Sequence, residues 1–376
     1  MLTRRQFVVG GAALATATVV GGAGSLELWD SATQPEDPAA AWDGARGTDR
    51  LVLAGTLAAN SHNTQPWRFR VSSDSIDLIG DTKRTMGKAD PRLRELHVSL
   101  GCALENVSIA AAQAETPVTI EQVPGAPAEH FARLRFGGDA TGVNARLAAA
   151  IPRRRTNRAP YDVERPVSPD ALAELSALAD NKVRVMWLTE PNDRAALTDL
   201  TVKATAEHID DAAMQRDSHR WYRMRRSDAE EQRDGITVAS ANLPGVATLM
   251  LGVFPPTPSS FDEGWVKATR ETHCGTAPAF GLIVVENAND RGAWVHAGRV
   301  YQRMQLAATL EGIAMHPISQ ALALRDREVA GVAPGRFSAG LKTLAGQGEV
   351  VLAFRIGYPL RPQQPSLRRA PIVKRA

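Results

Sequence analysis

The chain has 376 residues, 44% hydrophobic and 23% charged, proportions of a soluble globular protein with ample core. A formal net charge of +3 is too small to argue for nucleic acid, and the basic clusters at Arg153–Arg155, Arg223–Arg226 and the C-terminus lack interleaved aromatics for base stacking. Two cysteines cannot form the disulfide framework of a small secreted domain; Cys102 falls in a helical pattern and is expected in the core, and Cys274 merely follows His273 in sequence.

Taken in chain order, residues 1–30 read as a targeting segment. Thr3-Arg4-Arg5-Gln6-Phe7-Val8 opens an apolar Gly/Ala-rich run to Gly22, the pattern of a twin-arginine signal. That run falls short of the ~20 residues needed to span a bilayer. The expectation is export to the periplasm or cell exterior, with a membrane tether only through an uncleaved signal. Residues 23–45, with Pro35 and Pro38, read as a linker.

Leu51 to Ala59 predicts a helix, and Trp67 to Ser72 and Ile76 to Ile79 predict strands. Leu96, Leu100, Leu104 and Val107 keep helical spacing from Arg92 to Glu115. Val118 to Val123 and Phe131 to Phe136 follow as strands, and Gly137-Gly138 makes a break. A helix is expected from Val143 to Arg153, and another opens at Ser168-Pro169-Asp170, with Ser as cap and Pro in the first helical position. Val183 to Trp187 alternates as a strand, and Asp193 to Glu207 is helical. Residues 208–234 are densely charged around Trp221 and Tyr222, a solvated helix face or a flap over a pocket. A buried strand (Phe280 to Val285), a long helix (Trp294 to Glu311) and a final strand (Val350 to Tyr358) complete the chain. Helices and strands mix without strict alternation, which points to α+β.

The segment Ala59-Asn60-Ser61-His62-Asn63-Thr64-Gln65-Pro66-Trp67 stands apart: a dense run of polar side chains between a helix and a strand. It reads either as a capped turn or as the polar lining of a ligand crevice. Trp67 reads as a core anchor.

This segment resembles the Ser-x-x-Asn-x-Gln-Pro-Trp signature of the FMN-binding nitroreductase superfamily. Arg154-Arg155-Thr156-Asn157-Arg158 is similar to that family's phosphate-holding Arg-x-Ser/Thr piece, and Gly357-Tyr358-Pro359 with Arg368 and Arg369 to its C-terminal signature. The likeness runs from about residue 45 to 372 and looks nearest to the Acg-type proteins of mycobacteria, which carry two nitroreductase-like units in one chain. It implies an α+β fold of two tandem units, each a mixed or antiparallel sheet flanked by helices, forming an intrachain pseudo-dimer. The expected units are 31–138 and 139–376, the second with a charged lid-like insertion near 208–240. In a single family unit the arginine piece precedes the polar turn, whereas here the order is reversed. Asp30 to Asp43 lacks an arginine pair, and Asn181-Lys182 stands where the second polar turn would fall. Each unit then keeps one half of a shared site, with one flavin per monomer.

The resemblance implies FMN as cofactor, with its phosphate on Arg154, Arg155 and Thr156 and its ring or ribityl chain near Arg158. Asn60, Ser61, His62, Asn63 and Gln65 would reach it from the other unit. Arg368 or Arg369 would add a second cation, and the backbone of His316-Pro317-Ile318-Ser319 would lie near the redox-active centre. The sequence departs from the family pattern at Ala59 and Asn60. No side chain is expected to be catalytic, because flavin carries the chemistry. The implied function is an oxidoreductase passing hydride to a nitroaromatic or quinone-type acceptor, with NAD(P)H as candidate donor. The alternative is a protein that sequesters FMN without turnover. No P-loop or Gly-x-Ser-x-Gly elbow occurs, Gly346-Gln347-Gly348 fails the dinucleotide fingerprint, and no histidine has metal-ligand spacing, so no metal is expected.

Overall fold

Alternation builds the first strand, β1 (Trp67–Val71), whose residues Trp67, Phe69 and Val71 are all buried while Arg70 faces out. The computed structural model describes residues 38–121, 130–137, 143–241 and 258–375; the expected signal segment (1–30), residues 122–123 of an expected strand and Gly138 lie outside them. Ahead of β1 come α1 (Pro38–Gly44) and α2 (Gly47–Thr56), the latter starting and stopping earlier than the expected Leu51 to Ala59. β2 (Ser75–Gly80) returns antiparallel with Leu78 opposite Phe69. β4 (His130–Phe136) then pairs antiparallel with β2 and with β3 (Val118–Glu121).

Between β2 and β3 runs α3 (Arg94–Gln113), a helix buried on nearly every side. Its start is set by Asp90, whose carboxylate oxygens accept the Glu95 and Leu96 amides at 3.0 and 3.2 Å. The helix expected from Val143 to Arg153 is instead a short 3₁₀ turn, Ala145–Ala150. Asn144 caps the Arg146 amide there, and Pro152 has no N–H with which to extend a helix.

The second half begins with α4 (Pro169–Ser176), where Ser168 accepts from the Ala171 amide and Pro169 takes the first turn as expected. β5 (Arg184–Leu188), α5 (Pro191–Asp210) and α6 (Ala212–His219) follow. The charged 208–234 stretch is thus no single solvated helix. It continues through β6 (Tyr222–Arg223) and α7 (Arg226–Gln232), and β7 (Ile236–Thr237) pairs parallel to β6. After α8 (Pro258–Lys267), which runs on as a π-helical stretch, Ala268–Cys274, comes β8 (Ala279–Val285), buried at every residue. Then α9 (Arg291–Leu310), β9 (Ala314–Pro317), α10 (Gln320–Val329), α11 (Arg336–Ala345) and β10 (Glu349–Gly357) complete an antiparallel sheet in the order β5-β8-β10-β9. The last strand, β11 (Val373–Arg375), crosses back and pairs parallel to β1, with Val373 opposite Phe69. The first sheet therefore reads β11-β1-β2-β4-β3, and its final strand comes from the far end of the chain.

Helices α3 and α9 form the seam between the halves. A Cβ on Gly101 would fall 2.1 Å from the carbonyl oxygen of Val295, and a Cβ on Gly298 would fall 2.1 Å from that of Val98. The two contacts are reciprocal: each helix presents a glycine to the other's backbone, as in a two-fold interface folded into one chain. Gln302 of α9 adds a buried polar tie, donating to Asn106 at 2.8 Å and accepting the Ala59 amide at 3.1 Å. Cys102 is buried at this crossing, as expected. The architecture is α+β: a mixed and an antiparallel sheet with their helices, joined along one helical seam.

Candidate cofactor and active site

The polar turn is backbone-strained. His62, Asn63 and Gln65 all have positive φ (46°, 55° and 50°), a region that residues with a Cβ rarely occupy. Such strain persists only where surroundings over-determine it. Here the Gln65 amide donates to Asn60 Oδ1 at 2.8 Å and the Ser61 amide to Ser99 Oγ at 3.1 Å. Asn63 Nδ2 donates to the carbonyls of Leu367 (3.0 Å) and Gly235 (3.2 Å). Gln65 donates to the Arg233 carbonyl at 2.8 Å and accepts the Arg369 amide at 2.9 Å. The turn thereby fastens both the C-terminal tail and the 233–235 stretch.

Two connected hollows open beside this turn. The smaller, of about 30 Å³, is a notch lined by Asn63, Arg154, Arg155, Thr156, Ser366 and Arg368 among others. Arg154 is buried; its Nε and Nη2 donate to the Leu57 carbonyl at 3.3 and 3.2 Å and its Nη1 to Gln305 Oε1 at 3.3 Å. Arg368 donates to Asn63 Oδ1 and, at 3.1 Å, to the Ala58 carbonyl. Arg154 is pushed down to about 10 by burial and by Arg155, and Arg368 well below its ordinary value by burial and by Arg154 and Arg155. Among the described residues neither these two nor Arg158 forms an ion pair with a carboxylate. A buried cation beside half-buried ones that repel it makes the notch a receptor for an anion.

The larger hollow, of about 560 Å³, shares Ala59, Asn60, Thr156 and Arg158 with the notch. Its floor includes Ser61, His62, Ser99 and Cys102 from the first half and Tyr301, His316 and Pro317 from the second. Its cover comes from residues 208–241 and 258–274 and includes Tyr222, Met224, Val238, Phe261 and Trp265. That cover is latched by Asp234, buried between Arg84 and Arg223, and by Trp221, whose indole N–H donates to the Thr85 carbonyl at 3.0 Å.

Four histidines line the hollow, and all are held neutral, His208 by burial that lowers it to about 4. Burial and then Arg158 depress His62 to about 3, and burial and then Arg355 drive His273 and His316 well below the usual imidazole range. Arg355 Nε donates to His316 Nδ1 at 3.1 Å, so the ring proton sits on Nε2. Tyr301, fully buried on the same wall, has a hydroxyl without a hydrogen-bond partner among the described residues.

Most of the expected site residues converge. Arg154, Arg155, Asn63 and Arg368 line the notch, Asn60, Thr156 and Arg158 line both hollows, and Ser61, His62, His316, Pro317 and Ser319 line the larger one. Gln65, Ile318 and Arg369 lie on neither wall. Gln65 is buried as a structural tie, Ile318 packs in the core, and Arg369 turns to the Gln65 carbonyl at 3.0 Å. Sequence reasoning passed over Tyr301, Phe261 and Trp265, whose aromatic character alone hinted at a cavity wall, and weighed His273 only as the neighbour of Cys274. Among the described residues there is no cluster of His, Cys, Asp or Glu fit for a metal, and no helix is long and apolar enough to cross a membrane.

No family model matches the chain. A Mycobacterium tuberculosis protein named provisionally as an NAD(P)H nitroreductase is 28% identical over 334 residues, covering 86% of this chain and 89% of that protein. The Acg protein of the same organism, named provisionally in the same way, is 33% identical over 121 residues, or 36% of its length. Among solved structures, the FMN-dependent nitroreductase NfnB of Mycobacterium smegmatis in complex with NADPH is 18% identical, with a TM-score of 0.37 over 57% of this chain and 89% of its own. A nitroreductase with bound FMN from Bacteroides fragilis is also 18% identical, with a TM-score of 0.35 over 57% and 88%. At those scores the superpositions carry no argument about the site.

Proposed function

We propose that this protein binds FMN at the joined hollows and acts as a nitroreductase-type oxidoreductase, with NAD(P)H as donor and a nitroaromatic or quinone-type acceptor. One observation carries the reading: Arg154, Arg158 and Arg368, which form no ion pair with a carboxylate among the described residues, line a notch that opens into an apolar cavity of about 560 Å³, a size common for cofactor sites. The residues present fit the cofactor. Arg154, Arg155, Thr156 and Arg368 would hold the phosphate, with Arg158 at the join. The orphaned Tyr301 hydroxyl supplies a hydrogen bond that an apolar ligand would leave unmade. Bound FMN would supply the hydride carrier that no side chain here replaces. The chain's own residues would grip the phosphate, exclude water beneath the lid and present neutral imidazoles to the acceptor.

The 28% identity with the M. tuberculosis protein of that name supports the same assignment. So does the seam: the polar turn belongs to a first unit (31–138) and the arginine piece to a second (139–376), so the two halves share one flavin. The latched lid favours a second reading, retention of FMN without turnover. Anaerobic addition of NADPH to the yellow protein separates them: prompt bleaching of the visible flavin band supports an enzyme, and an unchanged spectrum supports retention. Protein purified colourless, and unable to take up FMN, defeats both.

A further inference from the structure

His62 sits at φ 46° on the cavity floor, and its ring is edge-on to Tyr222 of the lid with centroids 5.9 Å apart. Behind it lies Ser61, whose Oγ donates to Oε2 of Glu95 and stands 3.3 Å from His62 Nδ1. With the hydroxyl proton given to the carboxylate, Nδ1 must be the donor in that second contact, which leaves Nε2 with its lone pair. Glu95 is buried at the start of α3. The charged and titratable groups around this line are Arg158, His208 and His316 near the imidazole, and Arg94 and Asp90 beside the carboxylate.

We infer that Glu95, Ser61 and His62 form a proton relay ending in the cavity, which supplies the proton that must accompany hydride transfer to the acceptor. The inference rests on the flavin reading above. A quinone becomes a hydroquinone by gaining one hydride, which bound reduced FMN would supply, and one proton. In the relay the His62 Nε2–H bond breaks as the acceptor's O–H bond forms. Nδ1 takes the Ser61 hydroxyl proton, and Ser61 takes one from the Glu95 carboxylic acid, leaving the carboxylate. The hydrogen bonds in the structure are those of this discharged form. Hydronium from solvent recharges it by giving a proton to Nε2 and leaving water, and the line runs backwards to store the proton on Glu95. The imidazole only exchanges tautomers. That suits a ring whose charged form is opposed by burial and by Arg158.

Two readouts test the relay. Nitrogen NMR of the histidine side chains, in mildly alkaline solution, should find His62 as the Nδ1–H tautomer, and Ser61→Ala should abolish that preference. Chemically reduced, FMN-loaded protein is then reoxidised anaerobically with menadione, which needs a proton, and with ferricyanide, which does not. The ratio of the two rates should fall about 100-fold in His62→Asn, within the range general acid catalysis supplies. Asparagine is chosen because it tolerates the left-handed backbone at this position. Ser61→Ala gives a second, independent variant and should lower the same ratio. Yellow protein whose ratio is unchanged in both variants, or an Nε2–H tautomer in the wild type, overturns the relay alone. Wild-type protein that binds no FMN overturns the relay together with the flavin reading.

Discussion

Replacing Arg154 by alanine should remove FMN binding without collapsing the fold. A guanidinium has five N–H donors. Three already hold the Leu57 carbonyl twice and Gln305 Oε1, which leaves one N–H on each Nη for a phosphate. Charge-assisted hydrogen bonds contribute roughly 1.5–3 kcal/mol each, so two are worth roughly 3–6 kcal/mol. At 1.4 kcal/mol per tenfold, the FMN dissociation constant should rise roughly 10²- to 10⁴-fold. The empty protein should change less. Stranding two buried acceptors costs about 1–3 kcal/mol each. Removing a cation repelled by Arg155 and Arg158 works the other way. Fluorescence titration with FMN and with riboflavin separates the phosphate contribution, because riboflavin lacks only that group. Riboflavin affinity should stay nearly constant, so the preference for FMN over riboflavin should shrink by that factor, with Arg155, Thr156 and Arg368 keeping the remainder. FMN affinity within about threefold of the wild type would refute the assignment of the notch.

Arg369→Ala should leave FMN affinity within about threefold in the same titration, since its side chain grips the Gln65 carbonyl rather than the notch. Asp234→Asn strips the carboxylate from Arg84 and Arg223 and should speed FMN release at least about tenfold in a stopped-flow chase, consistent with breaking a buried ion pair. Stability should fall on acidification. His208, held to about 4 by burial, and His62, His273 and His316 are neutral when folded but titrate near 6.5 when unfolded, so protons bind preferentially to the unfolded chain. Their contribution is complete above about pH 6.5 and is lost as pH falls towards 4. Asp90, raised to about 7 by burial and by Glu95, opposes them, because its contribution is lost as pH rises towards 7. Four groups against one should leave melting temperature falling between pH 6.5 and 5, and a flat profile would contradict the neutral-histidine account.

The strands and the two seam helices were legible because their periodicity coincides with their burial, as in Trp67, Phe69 and Val71 or Leu96, Leu100 and Leu104. The site motifs were legible only through their resemblance to a family signature; on the residues alone the polar run reads equally as a capped turn. What stayed hidden depends on distant partners. β11 spans three residues and gains its identity only by pairing with β1. The inward turn of Arg368 and the outward turn of Arg369 follow from that pairing and from Gln65 capturing the Arg369 amide. The lid looked like a solvated charge run because its salt bridge joins Asp234 to Arg84, far away in sequence. The reciprocal glycines at the seam carry no local signal at all.

A crystal structure of the protein with FMN tests the shared site most directly. It should contain one flavin per chain, with the phosphate between Arg154, Asn63 and Arg368 and the ring beneath Tyr222 and Trp265. Two flavins per chain, or a phosphate bound away from that notch, would contradict the account.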